Sequence, residues 1–241
     1  MPKLETITNS LATGYKRLEP ASFQTSAELT TERRTNDEWG ELAETCFYTA
    51  NFTVCTLENG EEVLYFGGRE ANPILRNIDE ACRQLIENGN YRINNTEKEA
   101  IEEAVNRGLV LRLKMAELGL KELTDGFIND KYNYFEIETE NYDALNLFQR
   151  AFAEAVYDKG EDFIENMKMF SKARIEATRI ATRIYVLNPK YVRKEAKNSA
   201  FALASWLDHF DYNFDFHAYL RSVHEREYLR GVRRSRNLRR R

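Results

Sequence analysis

The chain has 241 residues, of which 42% are hydrophobic and 12% aromatic, and its formal net charge is −4. This composition is typical of a globular protein and excludes an intrinsically disordered chain. No run of 18 apolar residues occurs in the sequence, which excludes a membrane-spanning helix.

Residues 1–40 are rich in Thr, Ser and Glu, and their apolar residues are thinly scattered. We therefore predict a poorly ordered N-terminal arm that contacts a protein partner or a second copy of the chain. The start of the sequence lacks the apolar segment of a secretory signal, and the three cysteines (Cys46, Cys55 and Cys82) form no CxxC pair. Because free thiols persist in reducing compartments, we expect a cytoplasmic, intracellular protein without a zinc site.

Residues 41–140 carry the strand signals of the chain. Aromatic and β-branched residues flank Asn59-Gly60, a residue pair favoured in tight turns, so we predict a β-hairpin at 46–66. The segment YNYFEIETE, 132–140, predicts a further strand. This region is therefore expected to contain a small antiparallel sheet.

Two helices are predicted between these strands. Asn77 with Glu80, and Thr96 with Glu99, have the spacing of a capping box, and an apolar stripe follows each pair. The segment 109–120 remains open, because its leucines alternate as in a strand while its residue types favour a helix.

The region 141–230 is interpreted as helical, because its apolar residues recur every three or four positions. Its segment 163–187 contains no Gly or Pro and predicts one helix of about 40 Å. Pro189 predicts the start of the next helix, and 214–230 predicts the last. The predicted fold class is therefore α+β, a small N-terminal antiparallel β-hairpin or sheet followed by a mostly helical C-terminal bundle.

The segment DHFDYNFDFH, 208–217, holds three aspartates and two of the three histidines. In extended form its polar residues share one face, where carboxylates and a histidine could bind a divalent metal that activates water. The candidate ligands are Asp208, Asp211, Asp215 and His217. Asp and Asn are also typical of helix caps and loops, and we favour that interpretation. We therefore predict no metal, no cofactor and no catalytic residue.

Four cations of the predicted helix 163–187 fall on the face opposite its apolar residues. They are Lys168, Lys172, Arg179 and Arg183. A cationic stripe can lie along a nucleic-acid backbone. Glu165 and Glu176 lie beside it, however, and acidic neighbours at that spacing are typical of an ordinary solvated helix face.

The last 21 residues hold nine arginines and two glutamates, so their net charge is +7 and that of the preceding 220 residues is −11. Because guanidinium groups pair with phosphates and stack on bases, we predict that this tail contacts DNA or RNA. The predicted contacts are Arg230 and, in the tail 231–241, Arg233, Arg234, Arg236, Arg239, Arg240 and Arg241. An acidic protein surface is the alternative partner of the tail.

The sequence contains no phosphate loop, nucleophile elbow or dinucleotide-binding fingerprint. These features together favour a non-enzymatic, nucleic-acid-associated protein that acts within a larger intracellular assembly. The first alternative is a structural or adaptor subunit of an oligomer, such as a viral particle, with both chain ends contacting neighbouring subunits. The second alternative is a metal-dependent hydrolase at 208–217.

Overall fold

Antiparallel β-structure dominates the fold. The protein is described by a computed structural model over residues 19–20, 24, 47–122, 131–139, 141–157, 159–172, 182–208, 215–217, 228–229 and 231–232. The strands in these ranges are β1 Glu19–Pro20, β2 Phe47–Glu58, β3 Glu61–Gly67, β4 Tyr91–Arg92, β5 Val110–Lys114, β6 Lys121–Glu122, β7 Tyr132–Ile137, β8 Thr182–Leu187, β9 Phe201–Asp208, β10 Asp215–His217, β11 Tyr228–Leu229 and β12 Gly231–Val232.

Ten of the described strands form one sheet, in the order β5-β3-β2-β9-β10-β8-β7-β6, with β11 beside β2 and β4 beside β9. Most neighbours are antiparallel, whereas β10 is parallel to β8 and β11 is parallel to β2. The strands β1 and β12 pair with each other in a separate small sheet. Because β9 pairs with β2, the two halves of the chain share one sheet instead of forming separate units.

Six α-helices accompany the sheet in the described ranges. They are α1 Pro73–Arg76, α2 Ile78–Asn88, α3 Asn95–Asn106, α4 Leu147–Val156, α5 Gly160–Lys172 and α6 Pro189–Glu195. Short 3₁₀ turns occupy Arg69–Ala71, Met115–Glu117 and Tyr142–Ala144. None of the described helices is long and apolar enough to cross a membrane.

Each face of the sheet buries its own hydrophobic core. Successive residues of a strand point to opposite faces, so Val63 and Tyr65 pack with α1, α2 and α3. Their neighbours Leu64 and Phe66 pack with α4 and α5. All four side chains are buried. A strand that is covered on both faces carries apolar residues at successive positions and loses the usual alternation.

Phe152 of α4 lies at the centre of the second core. It is fully buried, and its ring makes edge-to-face contacts with Phe66 at 5.6 Å, Phe135 at 5.6 Å and Phe163 at 6.3 Å between centroids. Aromatic pairs in this geometry stabilise the fold beyond the area they bury. The three rings belong to β3, β7 and α5, so they fix the position of α4 against all three elements.

The hairpin of β2 and β3 turns at Asn59-Gly60, where the sequence predicts a turn. The φ angles of these residues are 52° and 83°, and Glu58 faces Glu61 across the turn. A two-residue turn of this kind requires positive φ at both central positions, which Asn and Gly adopt at low cost.

The predicted C-terminal helical bundle is wrong. The segment 163–187 is divided, because α5 ends at Lys172 and residues 182–187 form β8, while 173–181 lie outside the described residues. After the short helix α6 the chain continues as β9, and 215–217 of the predicted last helix belong to β10. The strands β8 and β9 have neighbours on both sides and are largely buried, so their apolar residues are almost continuous. The sequence favoured a helix because almost continuous apolar residues also contain the spacing of three or four positions that is typical of a helical face.

Two local predictions also change. The capping box of α3 is formed by Asn94 with Glu97, two residues before the predicted pair. Asn77 does precede α2, although its side chain makes no capping hydrogen bond. The segment 109–120 begins as strand β5 and continues as a 3₁₀ turn, so the alternating leucines were the informative signal.

Candidate binding groove

A groove of about 790 Å³ opens between the β6–β7 end of the sheet and the first turn of α4. Its floor is apolar, because Leu118, Phe135 and Leu145 line it and each is 5% exposed or less. The ring of Phe148 packs edge-on against Phe135, with 4.8 Å between centroids. Since this floor is packed from beneath by the core around α4, the shape of the groove is fixed by the fold.

The first turn of α4 forms one rim of the groove. Asn146 accepts a hydrogen bond from the backbone N–H of Gln149 at 2.8 Å, and the Gln149 side chain accepts one from the Asn146 N–H at 3.1 Å. The Gln149 amide also donates to the backbone oxygen of Glu136 at 3.1 Å, which joins the helix start to β7. Leu147, at the first helical position, is 86% exposed. A single exposed leucine is ordinary, but this one adjoins an apolar floor.

Charged side chains surround the floor. The carboxylate of Glu136 accepts hydrogen bonds from Lys121 at 3.1 Å and from Arg183 at 3.3 Å. Both cations also lie over the ring of Tyr134, at 5.9 and 5.2 Å from its centroid. Two cationic side chains therefore lie against one buried carboxylate.

Arg150 is a second cation of the groove. Its guanidinium carbon lies 5.1 Å from the ring centroid of Tyr142, and its Nη2 donates to the backbone oxygen of Asp143 at 3.4 Å. Its Nε is buried and has no hydrogen-bond partner among the described residues. A buried donor without an acceptor is destabilising, and more so when it carries a charge. The Tyr142 ring and the Asp143 oxygen therefore hold the guanidinium, whereas its Nε–H is left without an acceptor among the described residues.

Tyr142 holds the guanidinium of Arg150 in place. Its hydroxyl donates to the carboxylate of Glu154, and burial together with this hydrogen bond raises the pKa of Tyr142 to about 12. The ring therefore stays neutral at physiological pH and offers its negative face to the cation. Gly160 gives the ring its space, because a Cβ at that position would lie 2.5 Å from a Tyr142 ring carbon.

Three of the four candidate metal ligands lie on two adjacent strands of the sheet. β9 ends at Asp208, and Asp215, the first residue of β10, faces it in the antiparallel register, with His217 two residues further along β10. Asp211 lies outside the described residues. Asp208 and Asp215 are therefore strand residues, and the interpretation of Asp208 as a residue at a helix end is wrong. No group of three or more potential metal ligands occurs within the described ranges.

The four cations predicted to form one helical stripe do not share one helix. Lys168 lies on α5 and pairs with Glu165 at 2.7 Å, and Lys172 is the last residue of α5. Arg183 lies on β8 and pairs with Glu136. Outside the described residues lie Arg179 and the predicted tail contacts Arg230, Arg233, Arg234, Arg236, Arg239, Arg240 and Arg241. Contact of these residues with nucleic acid stays a prediction.

Comparison with other proteins identifies a similar fold. No protein family and no curated protein matches the sequence. A solved structure described as "Accommodation of massive sequence variation in Nanoarchaeota by the C-type lectin fold" superposes with a TM-score of 0.50. The match covers 89% of this chain and 88% of that chain, at 11% sequence identity. The chain resembles the C-type lectin fold.

At 11% identity this resemblance shows the fold alone. A C-type lectin-like fold agrees with the mostly antiparallel sheet and with helices on its faces. It also overturns the prediction of an α-helical bundle for 141–230, since β8, β9 and β10 complete the same sheet as the N-terminal hairpin.

Sequence reasoning missed the groove, because its lining residues come from three separate segments, 117–121, 135–136 and 145–150. Only the tertiary structure brings these segments together. A local signal was nevertheless present, since Asn146 and Gln149 have the spacing of a capping box. That box places Leu147 at the first helical position, where a side chain is usually exposed.

Proposed function

We propose that the chain is a non-enzymatic binding protein that receives a polypeptide segment of a partner in the groove beside α4, and that it acts as an adaptor in a larger assembly. The observation that carries this proposal is the 86% exposure of Leu147 at the edge of an apolar floor. Burial of a leucine side chain contributes about 1.5–3 kcal/mol, and a partner that covers Leu147 would gain this stabilisation.

The composition of the groove supports a protein partner. Its centre is apolar, with Leu118, Phe135 and Phe148, and its margin carries the charges of Lys121 and Arg150. An apolar centre with a polar margin is typical of protein interfaces. The groove is largely open to solvent, which suits a polypeptide more than a small ligand, because small ligands are usually enclosed over most of their surface.

The charged groups support binding more than catalysis. The two carboxylate oxygens of Glu136 are bonded to Arg183 and Lys121 respectively, so neither is available as a general base. The hydroxyl of Tyr142 is bonded to Glu154. The groups that remain available at the rim are an apolar side chain and a guanidinium, which are binding groups.

The similar structure supports a display role for the fold. The C-type lectin fold of that protein is described as accommodating massive sequence variation. A fold that tolerates such variation leaves recognition to the side chains displayed on it. We propose that residues 145–150 are displayed for this purpose in the present chain.

Selection from a library of random linear peptides tests the proposal. Peptides enriched on the full chain are expected to bind Leu147→Asp at least about tenfold more weakly, because the variant places a charge where the partner needs an apolar contact. Leu109→Asp is the matched control. Leu109 is also exposed, at 38%, but it does not line the groove, so this variant should bind like the wild type.

Two outcomes would contradict the proposal. Enriched peptides that bind Leu147→Asp as tightly as the wild type would place the binding site elsewhere on the molecule. If no peptide is enriched, and the wild type self-associates in sedimentation while Leu147→Asp stays monomeric, the groove is covered by a second copy of the chain.

A further inference from the structure

We infer that the polypeptide segment received by the groove carries a cationic group beside its apolar side chain, and that the carboxylate of Glu117 pairs with this group. The inference rests on the proposed binding function and specifies the chemistry of the partner. It makes Glu117 a specificity-determining residue of the groove, alongside Leu147.

The pairing of the charged side chains carries the first step. Four of the residues that line the groove are charged, and three of them already interact within the protein. Lys121 pairs with Glu136 at 3.1 Å. Arg150 lies over the ring of Tyr142, and the hydroxyl of that ring is bonded to a further carboxylate, that of Glu154. Cations and carboxylates of this part of the groove therefore lie close to one another.

Glu117 is the fourth charged residue of the lining. It is exposed at the end of the 3₁₀ turn Met115–Glu117, and its carboxylate makes no hydrogen bond or ion pair within the part of the chain that the structure describes. The charge of Glu117 reaches Lys114, but the ammonium of Lys114 is bonded to Glu61 at 2.7 Å. A carboxylate that remains available beside a binding surface favours a cation on the partner.

The position of Glu117 beside the apolar floor carries the last step. Its neighbour Leu118 is 5% exposed and belongs to the floor, so the chain places an exposed carboxylate directly next to an apolar surface. Gly119 leaves space there, because no described atom beyond its chain neighbours lies within 4 Å of the position that a Cβ would take. A partner with an apolar side chain in the groove can therefore bring an adjacent cation to Glu117.

The exposure of Glu117 sets the size of the expected effect. An ion pair between exposed groups changes an equilibrium constant by at most about fivefold. A charge at the margin of an interface acts mainly on the association rate and makes it depend on salt. We therefore expect a preference of about two- to fivefold for a cationic segment, seen mainly in the association rate.

Matched peptides test the inference. The peptides enriched on the full chain should contain Lys, Arg or a required free N-terminus. Each is compared with a partner in which Lys and Arg are replaced by Gln, and both are made with free and acetylated N-termini. Fluorescence anisotropy gives the Kd and the association rate. The free and acetylated arms show whether a side chain or the chain terminus supplies the cation.

Variants of Glu117 show whether this carboxylate sets the preference. Glu117→Gln should bind the cationic and neutral forms equally, and Glu117→Lys should prefer peptides in which Glu replaces the cation. A general loss of stability would not reverse the preference in this way. Glu99→Gln is the matched control, because Glu99 is exposed on α3 and does not line the groove, so its preference should equal that of the wild type.

The outcomes separate this inference from the proposed function. If binding depends on Leu147 but the wild type shows no preference for the cationic form, or Glu117→Gln keeps the full preference, the inference fails and the binding function stands. A preference that persists unchanged at about 1 M salt, where the Debye length is about 3 Å, would also overturn it. If binding is independent of Leu147, the proposed function fails and the inference fails with it.

Discussion

Helices α3 and α4 begin with the same capping device but present different residues at the first helical position. Asn94 with Glu97 and Asn146 with Gln149 both form a reciprocal capping box. The residue after the first cap is Asn95, which is exposed and polar. The residue after the second cap is Leu147, which is exposed and apolar.

The third residue of each helix shows what this difference means. Glu97 is 8% exposed and accepts a hydrogen bond from the hydroxyl of Tyr91 at 2.7 Å, so the start of α3 is closed against β4. Gln149 joins α4 to β7 but leaves the groove beside it open. The capping box therefore fixes where a helix starts, while the neighbouring side chains decide whether that start is structural or available to a partner.

The first prediction, which has the largest expected effect on stability, tests whether α3 and α4 are equally well anchored in their cores. Phe152→Ala in α4 should lower the free energy of unfolding by about 3–5 kcal/mol, and Ile101→Ala in α3 by about 2–5 kcal/mol, because each removes a buried side chain from a core. Urea denaturation measures both. A loss below about 1 kcal/mol for Phe152→Ala would show that the core around α4 is loosely packed, and would contradict a groove wall of fixed position.

The fold was predictable where local sequence decides the structure. The hairpin of β2 and β3 was predicted from Asn59-Gly60, because a two-residue turn needs positive φ at both residues and Asn and Gly adopt positive φ at low cost. The strands β8 and β9 were not predictable in the same way. β9 contributes residues to both cores, and β8 is buried at four successive positions, Ile184 to Leu187, which removes the alternation that identifies a strand.

The groove was less predictable than the fold. Leu147 and Arg150 are unremarkable in sequence, because their meaning depends on Phe135 and on Lys121 from another part of the chain. The sequence instead drew attention to 208–217 for its density of Asp and His. Composition showed which chemical groups exist but could not show which of them tertiary contacts bring together.

The second prediction concerns pH and the closed start of α3. Burial, and then the hydrogen bond to Glu97, raise the pKa of Tyr91 from 10.0 to about 12. Because the folded state holds this proton more tightly than the unfolded chain, the stabilisation is present in full below pH 10 and is lost as the pH rises through 12. Between these two pH values the wild type should lose about 1–3 kcal/mol of unfolding free energy that Tyr91→Phe does not lose.

Urea denaturation of the wild type and of Tyr91→Phe at the two ends of this window checks the expected loss. Other tyrosines titrate in both proteins, so the difference between them isolates Tyr91. An identical pH response would mean that Tyr91 is neither buried nor held by Glu97, and the start of α3 would then be no more closed than that of α4.

The last prediction, which has the smallest expected effect on stability, tests whether the two capping boxes differ in function. Asn94→Ala and Asn146→Ala should each cost about 1 kcal/mol of stability, because each removes one capping hydrogen bond at a helix start. Only Asn146→Ala should also weaken the binding of groove-selected peptides, since Asn146 positions the first turn that carries Leu147. Asn146→Ser, which keeps a capping oxygen, should restore both stability and binding. If Asn94→Ala weakens peptide binding as much as Asn146→Ala does, the loss follows global stability, and the first turn of α4 has no separate part in recognition.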